Sequence, residues 1–247
     1  PDSGNVYLEG TEKAAELHQL IGYLPEERGL YRKMTTWEQG LYFGQLKGMK
    51  KAECEAALYE WFEKLDMLPW RKKKLEELSK GMQQKVQFVL TVLHRPKLII
   101  LDEPFSGFDP LNAETIKKEI LGLRDQGSCI LLSTHRMDSV EELCDRISLI
   151  NEGEVVISGE LNEVQQQYKK SHYRIVYEGV FPSGVPFECI SKTTHAEGKN
   201  SAIFQLSNQE EVRQVLNAFL NQTHLLEFRE ELPSIKDIFI ELVGGKA

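Results

Sequence analysis

One short segment constrains the fold more than any other part of the chain. Four apolar residues, Leu98 to Leu101, lie between Pro96 and Pro104 and end in two carboxylates, Asp102 and Glu103. A short apolar run between prolines is typical of a strand buried on both faces of a parallel sheet. The acidic pair would then follow the carboxyl end of the strand, where open α/β sheets bind ligands. The sequence therefore predicts an α/β fold with a candidate site at this edge.

A helix and a second strand are predicted immediately downstream. Asp109 and Pro110 suit the N-cap and first turn of a helix, and Gly127 suits its end. Ile130 to Ser133 then repeat the apolar pattern of a buried strand and lead into His135. A right-handed crossover makes the two strands parallel, so the acidic pair and His135 are expected on one rim.

Two adjacent carboxylates at such a rim permit a division of labour. Asp102 is suited to orient a magnesium ion or its water shell, and Glu103 to accept a proton from an attacking water. The alternative is a core strand that simply ends in solvated acids, so the neighbouring segments decide between the two interpretations.

A phosphate-binding helix start is predicted upstream of the acidic strand. Ser79 precedes apolar residues at helical spacing and therefore suits an N-cap. The free backbone N–H groups of the first turn attract anions, and Gly81 has no side chain to keep a phosphate away.

In this order, these segments resemble the motifs of ABC-type ATPases. Leu78–Lys85 is similar to the signature motif, and Leu98–Glu103 to the Walker B strand with its catalytic glutamate. Ser106–Asp109 resembles the D-loop, and His135 the switch histidine. Ile21–Tyr31 resembles the Q-loop and narrows the match to ABC-2-type exporter ATPases of the sodium-export, Nat-like kind.

The resemblance implies an ATP- and Mg²⁺-dependent ATPase subunit of an exporter. It covers residues 1–160, which are expected to form a P-loop-type parallel-sheet core with a helical subdomain inserted at about residues 31–95. It implies catalytic roles for Glu103 and His135 and metal contacts for Asp102 and Glu26. Further nucleotide contacts are implied at six positions on the two sides of a subunit interface: Ser79, Lys80, Gly81, Met82, Glu26 and Asp109.

The chain departs from the family pattern in two motifs. Glu26 stands where most members have glutamine, so a carboxylate would take over the contact to magnesium and water, or the contact would be lost. Lys80 and Met82 replace the usual glycine and glutamine of the signature, whereas Ser79 and Gly81 are present.

The Walker A pattern, Gly-x-x-x-x-Gly-Lys-Ser/Thr, does not occur in the sequence. The expectation is an N-terminal truncation before this loop, so that the core is incomplete and the chain alone binds ATP weakly and is inactive. A natural non-hydrolysing scaffold or regulator without a P-loop is the alternative.

Composition narrows the possible partners and the location. A net charge of −8 disfavours a nucleic-acid partner. No apolar run approaches the roughly 18 residues that span a bilayer, so membrane contact is expected through a separate permease. The implied location is cytoplasmic, peripheral on the inner face of the cell membrane. The basic run Arg71–Lys74 is interpreted as a solvated loop before the signature-like segment and not as a binding patch, although its position would let it face a subunit or lipid headgroups.

By the same resemblance, the implied partners are an ABC-2-type membrane permease and a second ATPase subunit, either a copy of this chain or a homologue. The stretch Leu30–Trp37 corresponds to the segment that receives the permease's coupling helix. A soluble ABC protein of translation or DNA repair is the alternative function, but the single signature and the lack of a long heptad run disfavour it.

Residues 161–247 are predicted to form a small α+β accessory domain. Short strands are expected at 173–177, 186–191, 202–206 and 225–228, and helices after Ser207 and Ser234. Ser207–Glu210 is interpreted as a capping box. The histidines of this region have no ligand-like spacing, so a packing or regulatory role is favoured over a catalytic one.

Overall fold

In the computed structural model, the described residues are 3–5, 7–8, 10, 14–27, 29–194 and 198–244. The chain divides into two compact units, Pro1–Arg136 and Met137–Ala247. The domain boundary predicted at residue 160 marks where the resemblance to the family ends. The boundary after Arg136 marks where the packing contacts of the chain separate into two groups. The hairpin before residue 160 shares a buried core with the last helix of the chain, and it is therefore grouped with the second unit.

The first unit is built around a parallel three-stranded sheet of order β1-β2-β3. Its elements are α1 (Ala14–Leu20), β1 (Ile21–Leu24), α2 (Thr36–Leu46), α3 (Lys51–Lys64), α4 (Lys80–Val92), β2 (Leu98–Asp102), α5 (Pro110–Asp125) and β3 (Cys129–Ser133), with short 3₁₀ turns at Leu68–Trp70 and Leu75–Glu77. The predicted βαβ unit is confirmed, since β2, α5 and β3 follow each other and the two strands are parallel.

The two predicted core strands differ in burial. On the central strand β2, Ile99 and Leu101 are fully buried. On β3, however, Leu131 is 57% exposed and Cys129 is also exposed. The prediction that β3 is a buried strand is therefore wrong for the described residues, because β3 is an edge strand of this sheet and one of its faces is left open.

The strand β1 is held closely against α4. A Cβ atom at Gly22 would lie only 2.4 Å from the carbonyl oxygen of Thr91, so only glycine permits this approach. The hydroxyl of Thr91 and the amide of Gln87 donate to the carbonyls of Tyr23 and Pro25. This packing fixes the carboxyl end of β1 relative to the rest of the sheet.

The predicted helical region is present as α2, α3 and α4. The three- and four-residue spacing of Cys54, Leu58, Trp61, Leu65 and Leu68 in the sequence predicts one apolar helix face. Of these residues, Cys54, Leu58 and Leu65 are buried, whereas Trp61 and Leu68, the latter beyond the end of α3, are only half-buried. Phe62 is fully buried and was not predicted.

The sequence predicts that the aromatic residues Tyr31, Trp37, Tyr42 and Phe43 lie mostly in the core of this region, but Tyr31 is 50% exposed and Tyr42 is 40% exposed. They stack edge to face on each other at the surface, with ring centroids 5.7 Å apart.

The second unit contains a hairpin and a four-stranded antiparallel sheet of order β7-β8-β6-β9. Its elements are α6 (Met137–Leu143), β4 (Arg146–Asn151), β5 (Glu154–Glu160), α7 (Leu161–Gln167), β6 (His172–Glu178), β7 (Cys189–Thr194), β8 (Lys199–Gln205), α8 (Gln209–Gln222), β9 (His224–Glu231) and α9 (Ile235–Gly244). The helix α8 packs on one face of the sheet through Val215 and Phe219.

The helix caps of the second unit agree with the sequence in one case and differ in the other. Ser234 caps α9 as predicted, with its hydroxyl accepting from the backbone N–H of Asp237. At α8 the predicted cap at Ser207 is wrong by one residue. Asn208 accepts from the backbone N–H of Glu211 at 3.0 Å, and the Glu211 carboxylate accepts from the backbone N–H of Ser207.

Within the described part of the chain, no helix combines the length and the apolar character needed to cross a membrane.

Candidate functional site

The carboxyl ends of β1, β2 and β3 form one rim. Leu24 lies opposite Leu101, and Asp102 lies opposite Ser133, so the three strands end almost level. The segments that follow them, 25–26, 103–105 and 134–135, therefore leave the sheet on the same side. Three of the residues singled out in the sequence lie one or two positions beyond these strand ends: Glu26, Glu103 and His135.

The carboxylate of Glu103 is held by three donors from the segment after β3. Its Oε1 accepts from the backbone N–H of His135 at 2.8 Å and lies 2.8 Å from the ring Nδ1 of the same residue. Its Oε2 accepts from the Thr134 hydroxyl at 3.1 Å. The Glu103 side chain is only 15% exposed. It is therefore a fixed carboxylate at the end of a buried strand.

The backbone of Glu103 adopts an unusual conformation, with φ at 45°. A residue with a Cβ atom rarely occupies this left-handed region, and the strain has to be balanced by surrounding contacts. The backbone N–H of Glu103 donates to the Ser133 carbonyl, and its carbonyl accepts from the N–H of Ser106, both at 3.0 Å. These bonds turn the chain sharply at the rim and aim the side chain toward His135.

The ring of His135 connects the buried carboxylate to solvent. Its side chain is 83% exposed although its Nδ1 contacts Glu103. When Nδ1 carries the proton that it donates to the carboxylate, Nε2 points outward. Nε2 is then an acceptor in the neutral ring and a donor in the protonated ring. The pair therefore presents a carboxylate and an outward-facing ring nitrogen side by side.

The carboxylate of Asp102 is bound on one side only. Its Oδ1 accepts a short hydrogen bond from the hydroxyl of Ser133 on the neighbouring strand. No further hydrogen bond to it is formed within the described residues, so Oδ2 is available to an external ligand.

The acidic groups fit a magnesium ion that comes with its nucleotide better than a resident metal. The described residues contain no cluster of three or more metal-ligating side chains. Mg²⁺ is usually held by one or two carboxylates together with waters and substrate phosphates. A partly free Asp102 at the rim matches that pattern.

Glu26 lies at the same edge, but the structure does not join it to the other site residues. It is exposed in the bend after β1, and among the described residues it forms no hydrogen bond or ion pair. Its position is set indirectly, since the amide of Gln87 in α4 donates to the carbonyl of Pro25 at 2.8 Å.

The predicted phosphate-binding helix start is present as the first turn of α4. Ser79 is the N-cap, and its hydroxyl accepts from the backbone N–H of Met82 at 3.3 Å. Lys80, Gly81 and Met82 form the turn itself. No hydrogen bond or ion pair connects this turn with Glu103 or His135 within the described residues.

The turn that begins α4 lies beside the segment that precedes α5. A Cβ atom at Gly81 would be 3.8 Å from the Gly107 carbonyl oxygen and 3.9 Å from the Phe108 ring. Asp109, which follows, is the N-cap of α5 and accepts from the backbone N–H of Asn112 at 3.0 Å. This backbone hydrogen bond, together with one from the Asn112 side chain, lowers the pKa of Asp109. The signature-like and D-loop-like segments therefore form one continuous surface.

The sequence did not single out Ser133 or Thr134, although both hydroxyls bind the acidic pair. Their signal was present as the polar Ser-Thr-His sequence at the end of an apolar strand. Which carboxylate each hydroxyl contacts depends on strand register, which becomes visible only in the structure.

Comparisons with known proteins cover both units. A family model described as "ABC transporter" matches residues 1–106, and one described as "ATP-binding protein DrrA1-3-like, C-terminal domain" matches residues 159–243. An ABC transporter ATP-binding protein of Alkalihalophilus pseudofirmus is 38% identical over 99% of this chain and 91% of that protein. The ABC transporter ATP-binding protein NatA of Bacillus subtilis is 30% identical over 75% of this chain and 77% of its own length.

A solved structure of an ATP-binding subunit of an ABC transporter has a similar fold. It superimposes with a TM-score of 0.62 at 30% identity, covering 68% of this chain and 71% of that one.

Proposed function

The chain belongs to the ABC transporter ATP-binding proteins, and we propose that Asp102, Glu103 and His135 form its hydrolytic site. Members of this family are ATPases coupled to transport. The function of this chain is accordingly to bind and hydrolyse ATP as the subunit of an exporter that drives a separate membrane permease. The proposal concerns which residues carry the chemistry and which partners they meet.

The hydrogen-bonded carboxylate of Glu103 is the observation that carries the site assignment. Three donors fix its orientation, so little conformational freedom is lost when a water binds beside it. Glu103 accepts a proton from this water as the water attacks the γ-phosphate in line with the leaving oxygen. A mobile surface carboxylate would have no such fixed position.

His135 acts between Glu103 and the phosphate. With its Nδ1 directed at the carboxylate, its exposed Nε2 is directed away from the protein. In the protonated ring Nε2 donates to a γ-phosphate oxygen and stabilises charge that develops there. Glu103 then has two tasks, since it takes the proton from water and orients the ring.

Magnesium enters the proposal with the nucleotide. The ion would lie between the phosphates and Asp102, whose second oxygen is free in the described structure, with Glu26 as the further carboxylate at this edge. When bound, the metal supplies charge neutralisation between the β- and γ-phosphates. The residues of this chain orient it from one side only.

A second ATPase subunit would complete the nucleotide site. The first turn of α4, with Ser79, Lys80, Gly81 and Met82, presents backbone N–H groups to an anion. Among the described residues no hydrogen bond or ion pair joins this turn to the chain's own Glu103, and the turn lies beside the segment before Asp109. We propose that this surface binds the nucleotide held by the partner, which is a second copy of the chain or a homologue, and that Asp109 contributes contacts across the interface.

An ABC-2-type permease is the proposed membrane partner. Leu30, at the start of the segment Leu30–Trp37, lines a cavity of about 300 Å³ whose largely apolar lining also includes Phe43 and Leu46. The exposed edge-to-face pair Tyr31 and Tyr42 lies next to it. A helix from the permease would bury this apolar surface and hold the subunit at the inner face of the membrane.

The experiment is ATP hydrolysis by the intact subunit together with its permease. Glu103→Gln keeps the shape of the side chain but removes the base, so turnover should fall by about 10² to 10⁴-fold while ATP binding is retained. Glu55→Gln, an exposed change on α3, is the control and should leave turnover unchanged. Turnover within about twofold of wild type in Glu103→Gln would assign water activation to another residue.

A further inference from the structure

We propose that a basic surface on the first unit binds the anionic headgroups of the membrane directly, in addition to any contact through a permease. The surface is formed by six cationic side chains from two segments of the chain: Arg32, Lys33, Arg71, Lys72, Lys73 and Lys74. The partner is a lipid bilayer that contains negatively charged phospholipids.

Backbone hydrogen bonds hold the two segments side by side. The N–H groups of Thr36 and Trp37 donate to the carbonyls of Lys73 and Arg71, at 3.0 and 3.2 Å. In the opposite direction, the N–H of Glu76 donates to the carbonyl of Arg32 at 3.2 Å. The six cations are therefore presented together by a fixed backbone, which a charge run in a free loop would not achieve.

These cations are available to an external anion. All six residues are exposed. Within the described part of the chain, Arg32, Lys33, Arg71 and Lys72 form no ion pair, whereas Lys73 pairs with Glu77 at 3.2 Å.

The charge of the two segments is opposite to that of the chain. Residues 29–38 and 69–77 contain six cations against Glu38, Glu76 and Glu77, an excess of three positive charges. The chain as a whole carries −8, so the positive charge is local. The negative cytoplasmic leaflet attracts this positive surface and repels the acidic remainder of the protein. The basic surface is therefore the side that would turn toward the membrane.

Exposed aromatic side chains accompany the cations. Trp70 directly precedes the basic run Arg71–Lys74. Its large apolar side chain is 38% exposed. Tryptophan and tyrosine are enriched at the level of lipid headgroups, because one part of the ring system is apolar and another forms hydrogen bonds. The exposed Tyr31 precedes Arg32 in the same way. This combination of cations and exposed aromatic rings is better suited to contact with lipid headgroups than to contact with water alone.

The location of the surface selects lipid over other polyanions. Arg32 and Lys33 lie within Leu30–Trp37, the segment proposed to meet the permease, so the basic surface would face the same side as the bilayer. This step rests on the proposed function. A nucleic acid, by contrast, would have to approach a protein whose remaining surface is strongly acidic.

The test is sedimentation of the purified chain with lipid vesicles. Vesicles of phosphatidylcholine alone are compared with vesicles that also contain phosphatidylglycerol, at low and at physiological salt. We expect binding to the anionic vesicles only, weaker at higher salt. Since each cation near the surface contributes a factor of about five, the quadruple variant R71Q/K72Q/K73Q/K74Q should bind about 10² to 10³-fold more weakly.

A control variant that also loses four positive charges, but elsewhere on the protein, distinguishes binding by the basic surface from a general effect of net charge. It carries K51Q/R95Q/R146Q/R229Q, four exposed cations outside the basic surface. The control should keep most of the vesicle binding. Equal loss in both variants, or equal binding to neutral and anionic vesicles, would overturn the proposal. A third result would also overturn the proposal: the quadruple variant binds vesicles like wild type but binds detergent-solubilised permease more weakly. The partner of the basic surface would then be an acidic protein segment.

The outcome is distinguishable from a failure of the proposed hydrolytic site. Vesicle binding requires neither ATP nor Glu103, so it can be measured with the Glu103→Gln variant. When the same four substitutions are made in the intact subunit in detergent solution, ATP hydrolysis should stay at the wild-type rate, because residues 71–74 form no hydrogen bond or ion pair with the described rim residues.

Discussion

At the scale of single residues, the strained backbone of Glu103 orients its side chain for hydrogen bonding. A φ of 45° costs on the order of 1 kcal/mol or more for a residue with a Cβ atom. The turn that it creates places the carboxylate against the Thr134 hydroxyl and the backbone N–H of His135. The strain is therefore the local cost of an orientation that a relaxed strand end would not provide.

Thr134 is expected to act as a positioning residue. Thr134→Val keeps the shape of the side chain but removes the donor to Glu103 Oε2, a bond of about 1 kcal/mol. The kcat of the intact subunit should fall by about 5 to 10-fold with little change in the KM for ATP. Steady-state kinetics of Thr134→Val and Thr134→Ser test this expectation.

The serine variant is the matched control, because it retains the hydroxyl and should restore most of the kcat. A variant that raises the KM and leaves kcat unchanged would show that Thr134 contacts the nucleotide and does not position the base.

At the scale of elements, a histidine after α4 and a lysine after α2 meet at the start of β1. The Nε2 of His94 lies 3.2 Å from the carbonyl oxygen of Ile21, and the ammonium of Lys47 donates to the same oxygen at 2.8 Å. Burial, with a smaller contribution from the charge of Lys47, lowers the pKa of His94 to about 4. Its Nδ1 is buried and has no partner among the described residues. The neutral ring is thus part of the packing that joins α2, α4 and β1.

The stability of the first unit should therefore decrease in mild acid. In the unfolded chain a histidine binds a proton below about pH 6.5, whereas folded His94 does so only near pH 4. Between these values the unfolded state binds more protons, so the free energy of unfolding falls as the pH is lowered. After allowance for partial solvent exposure, His94 should account for about 2 kcal/mol of this decrease.

Urea unfolding followed by tryptophan fluorescence measures this decrease, because Trp37, Trp61 and Trp70 all lie in the first unit. In His94→Gln the decrease between pH 6.5 and 4 should be smaller by that amount, whereas the exposed control His224→Gln should behave like wild type. An unchanged pH dependence in His94→Gln would mean that the ring is solvated in the folded state.

Elements were predictable from the sequence where a local rule decides them. The strand Leu98–Asp102 follows from its apolar run between prolines, and α4 and α5 start at Ser79 and Asp109 because these residues cap them. The proximity of Glu103 and His135 follows from the βαβ topology alone. Burial was less predictable, because Leu131 and Tyr31 are apolar or aromatic residues whose exposure depends on which other elements cover them. The side-chain contacts of Ser133 and Thr134 depend on register and were missed for that reason.

At the scale of the whole molecule, the chain contains two separately packed units with different core chemistry. The first surrounds a parallel sheet whose carboxyl rim carries the proposed chemistry. The second has an aromatic core beneath its antiparallel sheet, where Phe219 contacts Tyr177, Phe181 and Phe204 at centroid distances of 4.9 to 5.9 Å. The division into domains at residue 160 stays a prediction, while packing divides the chain at Arg136.

A substitution in the aromatic core of the second unit tests whether destabilisation of that unit also affects the first unit. Phe219 is fully buried on α8, so Phe219→Ala should destabilise the second unit by about 3 to 5 kcal/mol through lost contacts and a cavity. Leu220→Ala is the matched control, because the next residue on the same helix is 58% exposed and its truncation should cost well under about 1 kcal/mol.

Amide hydrogen exchange resolves the effect by element. In Phe219→Ala, exchange should accelerate in β6 and β8, which carry the other aromatic residues of this core, and stay at the wild-type rate in β2. Since β2 is buried by a different set of side chains, Ile99 and Leu101 should keep their protection. Equal acceleration in β2 and β8 would instead mean that the two units unfold as one cooperative body, and that stability measured by tryptophan fluorescence reports on the entire chain.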